Sequence, residues 1–196
     1  MLLRLVTHNA HKVSEIEAVL GAVGFTVRGL NDLPPFDIVE DADSFEGNAI
    51  KKAQSLHAYV QEPALADDSG LVVDALGGAP GIHSARYAGV SGSGADAANR
   101  LKLHEALRHV HAPQARFVCV LAYVEPGTEP LLFRGELEGT IVPIERGSNG
   151  FGYDAMFVPQ GSSRTLAEHS PAEKNAISHR AIALAKLAQH LAHSST

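Results

Sequence analysis

Apolar residues crowd positions 2, 3, 5 and 6, which predicts a buried strand over 2–6. From Lys12 the spacing changes. Val13, Ile16, Val19, Leu20 and Val23 recur at helical intervals, predicting a helix from Lys12 to about Val23 that stops at Gly24. FTVRGL, residues 25–30, reads as a second short strand, and residues 31–44 read as loop, with Pro34 and Pro35 as breakers. Ser44 is a candidate N-cap for a helix to about Val60. ALADDSGLVV, residues 64–73, reads as a strand that runs into a turn and out again. The Gly-, Ala- and Ser-rich stretch from Ala75 to Gly94 reads as a long loop, and Asp96 to about His109 as a helix. ARFVCVLAYV and LLFRGELEGTIV read as strands joined by a hairpin at EPGTEP, followed by a loop, RGSNGFGYD. In SPAE, Ser170 suits an N-cap, Pro171 suits the first helical position and Glu173 completes a capping box; the periodicity then continues to about Leu191, with a break near Ser178.

Helices and strands alternate early and a hairpin comes late, which predicts an α/β fold on a mixed sheet with ligands at the strand ends. The 196 residues show no linker or repeat, and suit one domain over 1–196 or two closely packed lobes. A hydrophobic content of 45% supports a sizeable core. The net charge of −6, without any basic run, argues against duplex DNA and membrane surfaces, so a bound anion must be met by a few placed groups. Cys119, the single cysteine, lies in an apolar run and excludes an internal disulfide; with no signal peptide or membrane span in view, a cytoplasmic location is expected.

Four places are too polar for their surroundings. In THNAHK, residues 7–12, a strand runs into a helix, a junction that points backbone N–H groups at one spot and suits phosphate. Lys12 in the first turn opposes the helix dipole, which a bound anion would explain; an exposed lysine beside a capping Asn9 is the plainer alternative. Asp67 and Asp68 lie side by side in an apolar stretch, where burial of two carboxylates demands a positive partner. With Glu40 and Asp41 upstream they fit a hard-cation site, and they equally fit caps of a DDSG turn. In GSNGFGYD, Phe151 and Tyr153 offer aromatic faces and Asp154 an acceptor, or the stretch is a glycine-rich loop with core aromatics. Lys174, Ser178, His179 and Arg180 cluster within two turns of an otherwise apolar helix, as a site or as a solvated face. His8 with His11 and His190 with His193 have the spacing for a transition metal but lack a third ligand nearby, and His104, His109 and His111 belong around a helix end.

Taken together, THNAHK, SFEGNAIKKA, ADDSGLVVDALGGAPGIHSARYAG, NGFGYDAMF and EKNAISHRAIAL resemble the inosine triphosphate pyrophosphatase family over nearly the whole chain. The resemblance implies an elongated α/β fold with a long mixed central sheet, two lobes and a cleft between them that holds the active site. It implies a Mg²⁺-dependent homodimer that hydrolyses ITP, dITP and XTP to monophosphate and pyrophosphate. By position, Asp68 matches the proton acceptor and a metal ligand, and Glu40 the other metal carboxylate. Thr7, His8, Asn9, Ala10, His11 and Lys12 match the phosphate-binding loop, and Ser69 a substrate contact. Phe151, Gly152, Tyr153, Asp154, Lys174, His179 and Arg180 match the nucleotide and base contacts, with His179 and Arg180 as donors to O6 of the purine. Four positions depart from the family pattern: glycine is usual at His8 and frequent at His11, proline is usual at Ala155, and an acidic residue is common at Gly47.

Overall fold

The structure is a computed structural model that describes residues 2–7, 9–34, 38 and 40–194. In chain order the elements are β1 (Leu2–Val6), α1 (Ala10–Leu20), β2 (Thr26–Arg28), α2 (Phe45–Val60), β3 (Ala64–Val73), α3 (Ala95–Leu107), β4 (Gln114–Val124), β5 (Leu131–Ile141), β6 (Phe157–Pro159), α4 (Pro171–Ile177) and α5 (His179–Ser194). The strands form one six-stranded sheet in the order β2-β1-β3-β4-β5-β6. It is mixed: β1 runs parallel to β2 and β3, and β6 runs antiparallel to β5.

The helix ends follow their local chemistry. Asn9 caps α1, its side chain accepting from the N–H groups of His11 and Lys12. A 3₁₀ turn, Gly21–Val23, then closes on Gly24 at φ 87°, in the left-handed region that glycine enters freely. Ser44 caps α2 by accepting from Gly47 N. Ser170 and Glu173 form the capping box of α4, with Pro171 at its start. Ser178, extended at φ −66° and ψ 155°, ends α4, and α5 begins at the next residue.

Two expectations are corrected. The stretch 64–73 does not turn: β3 is one unbroken ten-residue strand. Ladder pairing with β1 (Arg4↔Ala64 to Val6↔Ala66) and a place between β1 and β4 override the turn preference of DDSG. The stretch 75–94 is not plain loop, since 3₁₀ turns occupy Asp74–Leu76 and Gly81–Arg86. β6 and a 3₁₀ turn at Leu166–Glu168 were too short to leave a periodic signal. β6 does leave a mark on its partner. A Cβ at Gly139 of β5 would lie 2.3 Å from Val158 O, so the strands approach closely only because residue 139 is glycine.

The chain folds as two compact units, Met1–Asp68 with Cys119–Gly135 and Arg180–Thr196, and Ser69–Val118 with Glu136–His179. β3, β4 and β5 each contribute residues to both, which is why no linker composition marks a boundary. In the first unit Leu3, Leu5, Leu65 and Leu121 of the sheet pack with Ile16 and Leu20 of α1 and with Leu184 and Leu187 of α5. In the second, Leu71, Val73 and Phe117 pack with Leu103 and Leu107 of α3 and with Met156 and Phe157. Among the described residues no helix is long and apolar enough to cross a membrane.

The α4 capping box generates one prediction. Ser170→Ala leaves orphan N–H groups at the start of a seven-residue helix and costs about 1 kcal/mol. In a chain of this size that lowers Tm by about 2–4 °C in a thermal melt. An unchanged Tm contradicts a stabilising role for the cap.

Candidate active site

The register of β1 and β3 brings the first two polar stretches together. Val6 pairs with Ala66, so Thr7 leaves β1 level with Asp67, and α1 starts three residues on. Successive side chains of a strand point to opposite faces. Asp67 and Asp68, neighbours in sequence, therefore have separate partners.

Asp67 is 2% exposed. Its carboxylate accepts from Lys12 Nζ of α1, from Arg180 Nε of α5 at 2.8 Å and from Cys119 Sγ of β4 at 3.2 Å. The guanidinium of Arg180, 1% exposed, also donates through Nη1 to Glu15 Oε2. Burial alone would raise the Asp67 pKa. The charges of Arg180 and Lys12 outweigh it and hold the carboxyl well below its ordinary 3.8. Burial and the adjacent Asp67 charge push the Cys119 thiol up, so it stays protonated and acts as a donor inside the core. Two cations and two anions meet here, so the cluster is neutral.

Asp68 faces α2. Its Oδ1 accepts from Lys52 Nζ at 2.6 Å, and the same ammonium lies 3.1 Å from Glu40 Oε1 and donates to Asp67 O at 2.9 Å. Burial raises the Asp68 pKa above 3.8, with the Lys52 charge opposing. Burial also works against the charge on Lys52, but Asp68 outweighs it and the ammonium is retained. Two carboxylates thus converge on one cation. Glu40 is reached because the loop before α2 is tied down: Asn48 Oδ1 accepts from Ala42 N at 3.0 Å, and Lys51 pairs with Asp41. Gly47 belongs to the same packing. A Cβ there would lie 2.7 Å from Ala42 Cβ, so an acidic side chain at 47 is incompatible with this loop.

The loop at residues 7–12 resolves the Lys12 question. Asn9 does cap α1, its own N–H donating to Thr7 Oγ1 at 3.0 Å. The anion that compensates a lysine in the first turn is Asp67 of the chain itself. His11 is exposed at the start of α1, the backbone of Ala10 lies in α1, and His8 lies outside the described residues.

In the second unit, Asp154 and Lys174 form a buried pair at 2.8 Å, and Asp154 Oδ2 also accepts from Phe151 N at 2.9 Å. The Lys174 ammonium sits 4.6 Å from the centre of the Phe151 ring. Gly150, at φ 76°, makes this turn possible: a Cβ there would fall 2.1 Å from Asp154 Oδ2. From α3, Asp96 accepts from Gly152 N at 2.7 Å and Arg100 donates to Gly152 O at 2.9 Å, so the loop is held through both backbone groups of one residue. Tyr153 is buried in the core with its hydroxyl donating to Ser84 O at 2.9 Å, and presents no free ring face. His179 is buried and stacks on Phe117, centroids 4.8 Å apart. Ser69 is half-buried on β3.

Thr7, Asn9, Lys12, Glu40, Asp68 and Arg180 belong to the first unit, and Ser69, Phe151, Gly152, Tyr153, Asp154, Lys174 and His179 to the second, where Phe151, Asp154 and Lys174 are in direct contact. An O6 contact by Arg180 competes with its bonds to Asp67 and Glu15. Sequence reasoning missed Lys52, Asp96 and Arg100. Lys52 had left a signal: with Phe45, Asn48, Ala49, Ala53 and Leu56 it falls on the buried stripe of α2, where a lysine needs a partner. Among the described residues no three His, Cys, Asp or Glu side chains gather as a metal-holding group.

Breaking the Asp67 cluster has a defined cost. Asp67→Asn leaves buried cations without their anion and lowers stability at pH 7 by about 3–5 kcal/mol, read as a Tm drop of roughly 10 °C. Because the folded pKa lies below the unfolded one, this stability is complete above about pH 4 and is lost as pH falls through the folded value. Acid unfolding of Asp67→Asn below pH 4 should be flatter than that of the parent chain; parallel curves contradict the assignment.

A family model described as the Ham1 family matches residues 3–190. A protein of Geobacter sulfurreducens named dITP/XTP pyrophosphatase is 46% identical over 95% of this chain and 94% of its own. One of the same name from Syntrophobacter fumaroxidans is 49% identical over 95% and 80%. The Staphylococcus aureus Ham1 protein superposes with a TM-score of 0.89 at 36% identity, covering 99% of this chain and 100% of that one. A nucleoside-triphosphatase, dITP/XTP pyrophosphatase, from Mycobacterium abscessus gives 0.78 at 40% identity over 95% and 98%. The chain belongs to the Ham1 family.

Proposed function

We propose that the chain is a Mg²⁺-dependent nucleoside triphosphate pyrophosphohydrolase. It converts ITP, dITP and XTP to the monophosphate and pyrophosphate, and so keeps deaminated purines out of the precursors of DNA and RNA. The observation that carries this reading is the convergence of Asp68 and Glu40 on a single cation, Lys52 Nζ. The names of the relatives support the substrate class. The same reading takes the working form to be a cytoplasmic homodimer.

The residues fit a magnesium ion. Its preferred ligands are hard oxygens, and one or two carboxylates complete its shell together with water and substrate phosphate. Glu40 and Asp68 would supply those carboxylates, a reading supported by the approach of both to the Lys52 ammonium. When bound, the ion neutralises phosphate oxygens and makes the α-phosphorus easier to attack. Lys52 keeps the two carboxylates convergent. Asp68, made more basic than an ordinary carboxylate by burial, orients the attacking water and accepts its proton. The loop of Thr7, His8, Asn9, Ala10, His11 and Lys12 is taken as the phosphate-binding loop, because it leads into the N-terminus of α1, where the helix dipole favours an anion. Lys12 adds a positive charge there that Asp67 holds in place.

At the base end, Phe151 provides the stacking face, and Asp154 with Lys174 sets the loop that presents it. Ser69, Gly152 and Tyr153 complete the contacts, Tyr153 through its backbone and packing. His179 is the donor to O6, an acceptor that inosine and xanthosine carry where adenosine carries an amine. Arg180 acts from behind as the positioning partner of Asp67. A site built on such a donor rejects the wrong group by as much as ~10⁴–10⁵. Guanine also carries O6, so rejection of GTP rests on groups around C2.

The direct assay compares dITP, XTP, GTP and ATP in Mg²⁺, scoring pyrophosphate and phosphate separately. Pyrophosphate from dITP and XTP, with little from GTP and ATP, is expected; phosphate as the product, or equal turnover of all four, contradicts the proposal. Asp68→Asn should lower kcat by about 10²–10⁴ while nucleotide binding persists. Unchanged turnover removes Asp68 from the role.

A further inference from the structure

The second unit contains a cavity of about 510 Å³ that no part of the proposed reaction uses. This lies within the range of about 300–1,000 Å³ usual for small-molecule sites. Its floor is apolar and buried, formed by Leu107, Pro113, Ile141 and Met156. Its titratable lining is wholly basic: His104, Arg108 and His111. His104 lies in the last turn of α3, Arg108 caps its C-terminus and His111 follows in the turn beyond it. In a chain of net charge −6, none of the lining residues is acidic. Glu105 Oε2 is 3.9 Å from Arg108 Nη1 and lies outside the lining.

The walls are fixed before any ligand arrives. Ile141 N donates to Pro113 O at 3.0 Å and Val142 N to Met156 O at 2.8 Å. Ala112, on the rim, is held at φ 47°, a left-handed conformation that alanine adopts at a cost. Arg108 and His111 are exposed at the mouth while the apolar residues lie beneath them. The polarity thus runs from an apolar floor to a rim that carries the Arg108 guanidinium and the two imidazoles.

We propose that this cavity is a binding site for a small amphipathic monoanion, with its apolar body on the Leu107–Ile141–Met156 floor and its anionic head at Arg108, His104 and His111. A free medium-chain carboxylate has this chemistry. A cationic amphiphile of the same length does not, because its head would face three basic side chains.

The test uses the full-length chain and decanoate below its micelle-forming concentration, by isothermal titration, with decyltrimethylammonium as the cationic counterpart. Saturable one-to-one binding of decanoate is expected, with decyltrimethylammonium at least roughly tenfold weaker. Arg108→Glu, an exposed substitution that leaves dITP turnover intact, should weaken decanoate by about tenfold or more. Val142→Trp, which narrows the cavity, should abolish it. Several results overturn the proposal: no saturable binding, equal binding of the two amphiphiles, or decanoate affinity unaltered by either substitution. So does a change in sedimentation mass in Arg108→Glu, which would assign the cavity to contact between copies of the chain.

Discussion

A carboxylate with no exposed side-chain surface cannot remain ionised unless cations come to it, and Asp67 draws two. Arg180 and Lys12 arrive from different helices, and Cys119 Sγ adds a third donor from the neighbouring strand. Apolar packing seats α1 and α5 on the sheet, and this one anion ties the first turn of each to β3. Because Glu15 balances the second charge on the same patch, the cluster closes on itself electrically. Its role is to hold geometry, the position of the Lys12 ammonium included.

The alternation of a strand then does something economical with the next residue. Asp68 faces the other way and meets a single ammonium shared with Glu40. Three groups, two of them anionic, make a place where a further positive charge is welcome. One aspartate thus holds the architecture, its neighbour is free of that task under the proposed chemistry, and the pleat of the strand gives their side chains different partners. In the second unit the Asp154–Lys174 pair plays a comparable fixing role, drawing the 150–154 turn around a glycine that nothing larger could replace.

Much of the fold was legible in the sequence because it rests on local rules. Ser44, Ser170 with Glu173, Gly24 and the break at Ser178 each fall where capping and periodicity put them. The errors have a common cause. The turn expected in DDSG was argued from local preference, whereas the strand is set by its neighbours in the sheet and by cations up to 113 residues away. Lys12 was read as awaiting a bound anion or as an exposed lysine beside a capping Asn9; its partner in the structure is Asp67, 55 residues on, a contact no local pattern reveals. Lys52 was overlooked although its helical register placed it on the buried stripe. The division of the chain into two units was illegible because the boundaries fall inside strands. Candidate site residues were legible as misplaced polarity and through family resemblance; the separation of holding residues from reacting ones required coordinates.

The central claim is that the Asp68–Glu40 cradle directs water at the α-phosphorus of a deaminated purine triphosphate. Hydrolysis of dITP in ¹⁸O-water, followed by mass spectrometry of both products, tests it most directly. Label in the monophosphate alone is the predicted result. Label in pyrophosphate, or in free phosphate, would mean that water attacks a different phosphorus and would contradict the account.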